Sequence, residues 1–315
     1  PPRVRFKTTR TRWGRSAWVT VDGLEGGWGE VDARVRGRDR VAATTSGVLA
    51  LTLERDDALL DPGPVTVEID GATLAFEGGE PLAMHRPGAG APWRKGPPPA
   101  GGLTKRGTVT GPIRDVFHEP LVFVYGAEGE EAGANEAVAR AFAGGRRNVQ
   151  VDYPVVSDAE FLSRGPLGDE RALFLVGRNN RVLAALEAEA TRQGAPFPIR
   201  VEDGAVRIGT ERLRGRELGA AFVRPNPARP DRYVVVVAGA DLPGTLRARS
   251  LPDLLPDFAV WDEAVAPARG QLLLGAGSLR AAGFFRSDWS LPPAYADPLA
   301  KTPRAASATD DDEPR

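Results

Sequence analysis

Cysteine is absent from the 315 residues, and histidine occurs only twice, as His85 and His118. The first absence excludes disulfides, thiolate catalysis and cysteine-ligated metal. The second excludes a zinc finger and a His-Glu-x-x-His helix, because two distant histidines satisfy neither spacing. An excess of one charge is also missing. Lys and Arg total 41 and Asp and Glu 42, for a net charge of −1. That balance supplies no general attraction to nucleic acid or to an anionic membrane. No apolar run approaches the ~20 residues that a membrane span needs.

Catalytic motifs are scarce as well. A nucleophile elbow needs Gly-x-Ser-x-Gly, since the strained turn leaves no room beside the serine. The nearest segment, Gly275-Ala276-Gly277-Ser278-Leu279, has the wrong spacing. No Walker A loop is present. The Gly126-Ala127-Glu128-Gly129 turn stands where a dinucleotide fingerprint would, but Glu128, Glu130 and Glu131 would repel a pyrophosphate. Asp310-Asp311-Asp312 lacks the glycine and terminal glutamate of a calcium loop. The sequence therefore predicts no metal and no cofactor.

What is present is 42% apolar residues, enough for real cores, in a chain long enough for two domains. The chain opens at Pro1-Pro2-Arg3-Val4-Arg5-Phe6, already patterned as a strand, without an initiator Met or signal peptide. This predicts a fragment or processed form of a longer protein, secreted or periplasmic, with the cytoplasm left open. Residues 1–95 alternate in period two, as in Val31 to Val35, Gly47 to Leu53 and Val65 to Ile69. The Asp70-Gly71 pair between two such runs is a hairpin signal, because glycine accepts positive φ. A β-sandwich of immunoglobulin-like size is expected there. Residues 96–112 are rich in Pro and Gly and read as a linker.

From residue 113 to 291 the pattern changes. Leu121 to Tyr125, Val149 to Tyr153, Ala172 to Val176 and Tyr233 to Val237 read as strands, with Phe258 to Trp261 as an edge strand. Helices are expected at Asn135 to Ala143, after Ser157 as a capping residue, and from Arg181 to Gln193. Alternation of this kind predicts an α/β Rossmann-like domain with a mainly parallel sheet. Residues 292–315 read as a disordered tail.

Open parallel sheets bind ligands beyond the carboxyl ends of their strands. The candidates for such a crevice are Gly126, Gly177, Asn179, Asn180 and Gly239, with Asn226 from the Arg224-Pro225-Asn226-Pro227 loop. Turning glycines and a helix-capping asparagine explain most of these residues equally well. Asp115 and His118 are the acid–base candidates, or else the point where the linker docks. Trp13, Trp18, Trp28 and Trp93 offer a sugar-stacking surface if exposed and a core if buried.

Taken together, Gly111-Pro112-Ile113, Tyr125-Gly126, Val176-Gly177-Arg178-Asn179-Asn180, Pro225-Asn226-Pro227 and Ala238-Gly239 resemble the C-terminal region of large secreted bacterial prolyl-oligopeptidase-like or esterase-like α/β-hydrolases. The resemblance implies a non-catalytic accessory region. Its partner would be an upstream catalytic domain bearing the serine, aspartate and histidine, and its ligand a polysaccharide or peptide substrate. Two alternatives remain: a carbohydrate-binding module using the front aromatics, and a self-contained enzyme with a polar pocket at the strand ends.

Overall fold

The computed structural model describes the chain except for residues 27, 100–102, 106, 108, 145–150, 166, 168, 252–254, 266–278 and 297–315. Gly275 to Ser278, Val149 and Gln150, Asp310 to Asp312 and most of the expected tail therefore lie outside the described residues.

The front half contains β1 (Arg3–Thr8), β2 (Arg15–Ser16), β3 (Val19–Leu24), β4 (Gly29–Arg36) and β5 (Arg40–Ser46), then β6 (Val48–Leu53), β7 (Val65–Ile69), β8 (Ala72–Phe76), β9 (Leu82–His85) and β10 (Arg94–Lys95). They form two five-stranded sheets, ordered β1-β4-β5-β7-β8 and β10-β9-β6-β3-β2. Period-two patterning turns Val31, Ala33, Val65, Val67 and Ile69 of one sheet and Val19, Val21, Leu51 and Leu53 of the other into one buried cluster. The β7–β8 hairpin closes through Asp70 (φ 47°) and Gly71 (φ 85°). The Asp70 carboxylate also accepts from the Thr45 amide at 2.7 Å and the Thr45 hydroxyl at 2.6 Å, so the turn is tied to β5. Asp22-Gly23 forms an irregularity within β3.

The back half runs β11 (Leu121–Tyr125), α1 (Ala132–Gly144), β12 (Val155–Ser157), α2 (Asp158–Ser163), β13 (Ala172–Val176) and α3 (Arg181–Arg192). It continues through β14 (Ile199–Glu202), β15 (Ala205–Ile208), β16 (Glu211–Leu213), β17 (Gly219–Asn226), β18 (Arg229–Gly239), α4 (Leu242–Arg247), β19 (Phe258–Trp261), β20 (Ala281–Gly283) and α5 (Pro293–Ala296). Its main sheet has seven strands in the order β12-β11-β13-β18-β17-β19-β20, and β14, β15 and β16 form a separate three-stranded sheet.

This corrects the expected fold class. The pairs among β12, β11, β13 and β18 are parallel, but β17 is antiparallel to both β18 and β19, and β20 is antiparallel to β19. Only α1, with 13 residues, and α3, with 12, exceed six residues among the described helices. The molecule is mostly β in four sheets, and a Rossmann-like domain with a mainly parallel sheet does not describe its back half. The physical reason lies in β17, which the sequence disguises as a loop. Gly219, Ala220 and Ala221 have weak strand propensity, and Pro225 donates no ladder hydrogen bond. The strand is held instead by burial: every residue from Gly219 to Asn226 is buried.

Three other elements differ from expectation. The strand beside β11 is Val155–Ser157, and residues 151–154 have no regular structure. β19 is flanked by β20 rather than standing at the edge. In the segment expected to begin the tail, Tyr295 meets Phe258 edge-on, with ring centroids 5.4 Å apart. Ser157 does cap α2, accepting from the Glu160 amide at 3.1 Å.

The two halves have separate apolar clusters. The connecting stretch docks against the back half. Val109 is in its core, and the Tyr233 hydroxyl accepts from the amides of Thr110 at 2.7 Å and Gly111 at 3.0 Å. No helix among the described residues is long and apolar enough to cross a membrane.

Candidate functional site

The carboxyl ends of the parallel strands are filled by the protein's own side chains. Asn180 is fully buried. Its Oδ1 accepts from the amides of Val182 at 3.0 Å and Leu183 at 3.2 Å, capping α3. Its Nδ2 donates to the carbonyls of Val124 at 2.9 Å and Val176 at 3.3 Å. Asn135 donates to the Gly126 carbonyl and to Asn179 Oδ1, each at 2.9 Å, and Asn179 donates to the Glu128 carbonyl. Asp158 accepts from Ala127, Ala159 and Arg181 amides. A Cβ at Gly126 would collide with Asn179, and one at Gly177 (φ 96°) with Asn135. Gly239 turns directly into α4, its amide donating to the Thr245 hydroxyl at 3.2 Å. These groups meet most of one another's hydrogen-bonding needs, with Asn135 Oδ1 buried without a partner.

Asn226 stands at the other end of the sheet, in the β17–β18 hairpin. It donates to the Leu167 carbonyl at 3.3 Å and accepts from the Ala228 amide at 2.9 Å. Asp115 and His118 lie before β11, also at the amino end. The structure thus brings Gly126, Gly177, Asn179 and Asn180 together. It does not bring Asn226, Asp115 or His118 to them. Asp115 is ion-paired with Arg10 of the front half, and His118 is exposed.

An open site lies at this amino end, between the halves. A cavity of about 280 Å³ is lined by Thr9, Arg10, Thr11, Leu24 and Gly26 on one side. Lys105, Thr110 to Pro112, Asp257 and Phe284, Phe285 and Ser287 line the other. Asp257 forms its floor and is fully buried. It pairs with Lys105 and accepts from the Phe285 amide at 2.9 Å. Lys105 also donates to the Phe285 carbonyl at 2.8 Å, and its ammonium lies 4.9 Å from the centre of the Trp289 ring. Burial pushes the Asp257 carboxyl up, opposed by Lys105. Burial likewise raises Asp115, opposed by Arg10 and Arg12, and raises Glu119, opposed by Arg232 and Arg12. Gly111 (φ 72°) lies against Asp257, where any Cβ would overlap the carboxylate.

The four front tryptophans divide. Trp18 and Trp93 are 3% and 5% exposed and belong to the core. Their indole N–H groups donate to the Pro1 carbonyl at 2.7 Å and to Asp70 at 3.0 Å. Trp13 and Trp28 are 67% and 49% exposed. Neither is among the residues lining the cavity, but each stands two residues beyond one that is, Thr11 and Gly26 respectively. The loops are neighbours: Thr8 pairs with Gly29 across the sheet, and its hydroxyl donates to the Arg10 carbonyl at 2.7 Å and the Trp13 carbonyl at 3.2 Å. Lys7 lies 5.1 Å from the Trp28 ring centre and Arg12 5.8 Å from that of Trp13. On the opposite wall Phe284 is 54% exposed. Sequence reasoning missed Arg10, Lys105, Asp257 and Phe284. Asp257 precedes a strand and Lys105 lies in an irregular stretch, so no local pattern marks the pair.

No protein-family model and no solved structure matches this chain. A stretch of 146 residues, 45% of the chain, is 39% identical to an uncharacterized secreted protein of Arthroderma benhamiae. The match spans 14% of that protein's length. The resemblance to bacterial prolyl-oligopeptidase-like proteins is corrected by these findings, since the similarity found is to a fungal secreted protein without that description. The short motifs that suggested it have local reasons. Gly111-Pro112 packs on Asp257, Gly126 and Gly177 make way for asparagines, and Pro225-Asn226 ends β17.

Proposed function

We propose that this chain is an accessory binding region of a longer secreted protein and that its ligand is carbohydrate. The observation that carries the reading is the exposure of three large rings, Phe284 in the lining of the cavity and Trp13 and Trp28 each two residues along the chain from a lining residue. Large rings left in water beside a concave site with hydroxyls and charged groups are the surface that sugars need. Apolar C–H faces stack on the rings, and hydroxyls exchange hydrogen bonds with the polar groups. Secretion is supported by the description of the Arthroderma benhamiae protein, and membership of a longer chain by the small share of that protein that is matched.

The test is depletion of the protein from solution by insoluble cellulose, chitin and xylan. The native chain is expected to bind at least one of them. Trp13→Ala and Trp28→Ala are each expected to weaken that binding by about tenfold, or about 1.4 kcal/mol. Retention of full affinity in both variants would refute the reading.

A further inference from the structure

Building on the carbohydrate reading, we infer that the cavity between the halves seats one neutral sugar ring at the end of a chain, while Trp13 and Trp28 carry the units that follow. Size comes first. At about 280 Å³ the cavity is smaller than the ~300–1,000 Å³ of pockets that enclose drug-sized ligands, which suits one ring rather than a run of rings. Its walls have the mixed character that a pyranose requires. Leu24, Pro112, Phe284 and Phe285 supply apolar surface, and Thr9, Thr11 and Ser287 supply hydroxyls.

Charge selects within the class. Arg10 is matched by Asp115 and Lys105 by Asp257, so the cavity has no surplus cation for a uronate or sulfate and no surplus anion for an amine. A neutral polyhydroxy ligand fits this balance. The floor is preorganised, because Asp257 is held by the Phe285 amide and by Lys105. Phe284, Thr9 and Gly26 are exposed around the cavity, and the tryptophan-bearing loops continue from it.

The experiment is calorimetric titration of the full chain with cellohexaose, N-acetylchitohexaose, xylohexaose and hexagalacturonate. The variants are Thr9→Trp and Ser287→Trp, which fill the cavity from exposed or half-exposed positions, and Trp28→Ala, with melting curves confirming that each is folded. The native chain is expected to bind a neutral hexasaccharide, with the corresponding monosaccharide competing. Each filling variant should weaken binding by about tenfold or more. Native-like affinity in both filling variants, with loss only in Trp28→Ala, would overturn the cavity assignment and leave the tryptophan reading standing. Binding of hexagalacturonate alone would overturn the neutral-ring assignment. Absence of binding to every saccharide would overturn the carbohydrate reading together with the inference.

Discussion

Arg224 shows how a single residue can work against the fold that contains it. It is 4% exposed, its Nη1 donates to the Pro196 carbonyl at 2.8 Å, and its guanidinium lies 5.4 Å from the centre of the Phe197 ring. Its Nε has no partner. Burial pushes its pKa down to about 10. A depressed basic group disfavours the folded state while it is charged, so the penalty is fully present at neutral pH and is relieved as pH rises through the folded value. Arg224→Met is expected to be neutral or stabilising by about 1–2 kcal/mol in urea unfolding, and a clear loss would contradict this account. Gly111 presents the opposite case. With φ 72° and the Asp257 carboxylate against its Cα, Gly111→Ala is expected to cost about 1–3 kcal/mol. Unchanged stability would mean that the cavity floor can yield.

Individual elements differ in how openly the sequence announces them. β11 and β13 are continuous apolar runs bounded by glycine, and their limits match the sequence reading. α3 has an N-cap asparagine and an amphipathic face, two signals that agree. β17 carries neither signal, because its partners β18 and β19 determine its conformation. Together with β20, that strand makes the sheet mixed rather than parallel, so an error over eight residues contributes to an error in fold class. The cavity was hidden for a related reason: it joins Arg10, Lys105 and Asp257, which are far apart in the chain and meet only after both halves have folded. At the carboxyl ends of the strands, Asn180→Ala tests the filled crevice. It removes a helix cap and leaves the carbonyls of Val124 and Val176 without that donor, for an expected cost of about 2–4 kcal/mol in urea unfolding. A change below about 0.5 kcal/mol would show that water replaces the amide, and would reopen this end of the sheet as a site.

Across the molecule, buried and exposed carboxylates respond to pH in opposite directions. Asp115, Glu119 and Asp257 are raised by burial, so the folded state holds their protons more firmly than the unfolded state does. Their effect is to increase stability as pH falls from above their folded values towards about 4, the unfolded carboxyl range. Asp32, Glu30 and Glu80 are lowered, chiefly by hydrogen bonds from Arg3, Lys7 and Lys95. Their contribution is present above the unfolded values and is lost as pH falls through the folded ones. A stability maximum in mild acid is therefore expected from urea unfolding between pH 4 and 8. A steady decline on acidification from neutrality would refute it.

The docked connection also determines what a peptide-bond cut would do. Lys95 is exposed at the end of the front sheets, whereas Lys105, Val109, Thr110 and Gly111 are anchored to the back half. Cleavage after Lys95 would leave the anchored stretch on the back fragment. The two fragments would then be held by the Gly96 amide donating to the Ala83 carbonyl at 2.7 Å and by side chains, with Arg10 reaching Asp115. Nicked protein should run as one species on gel filtration, and Arg10→Ala should convert it into two, so that covalent continuity and association become separately measurable.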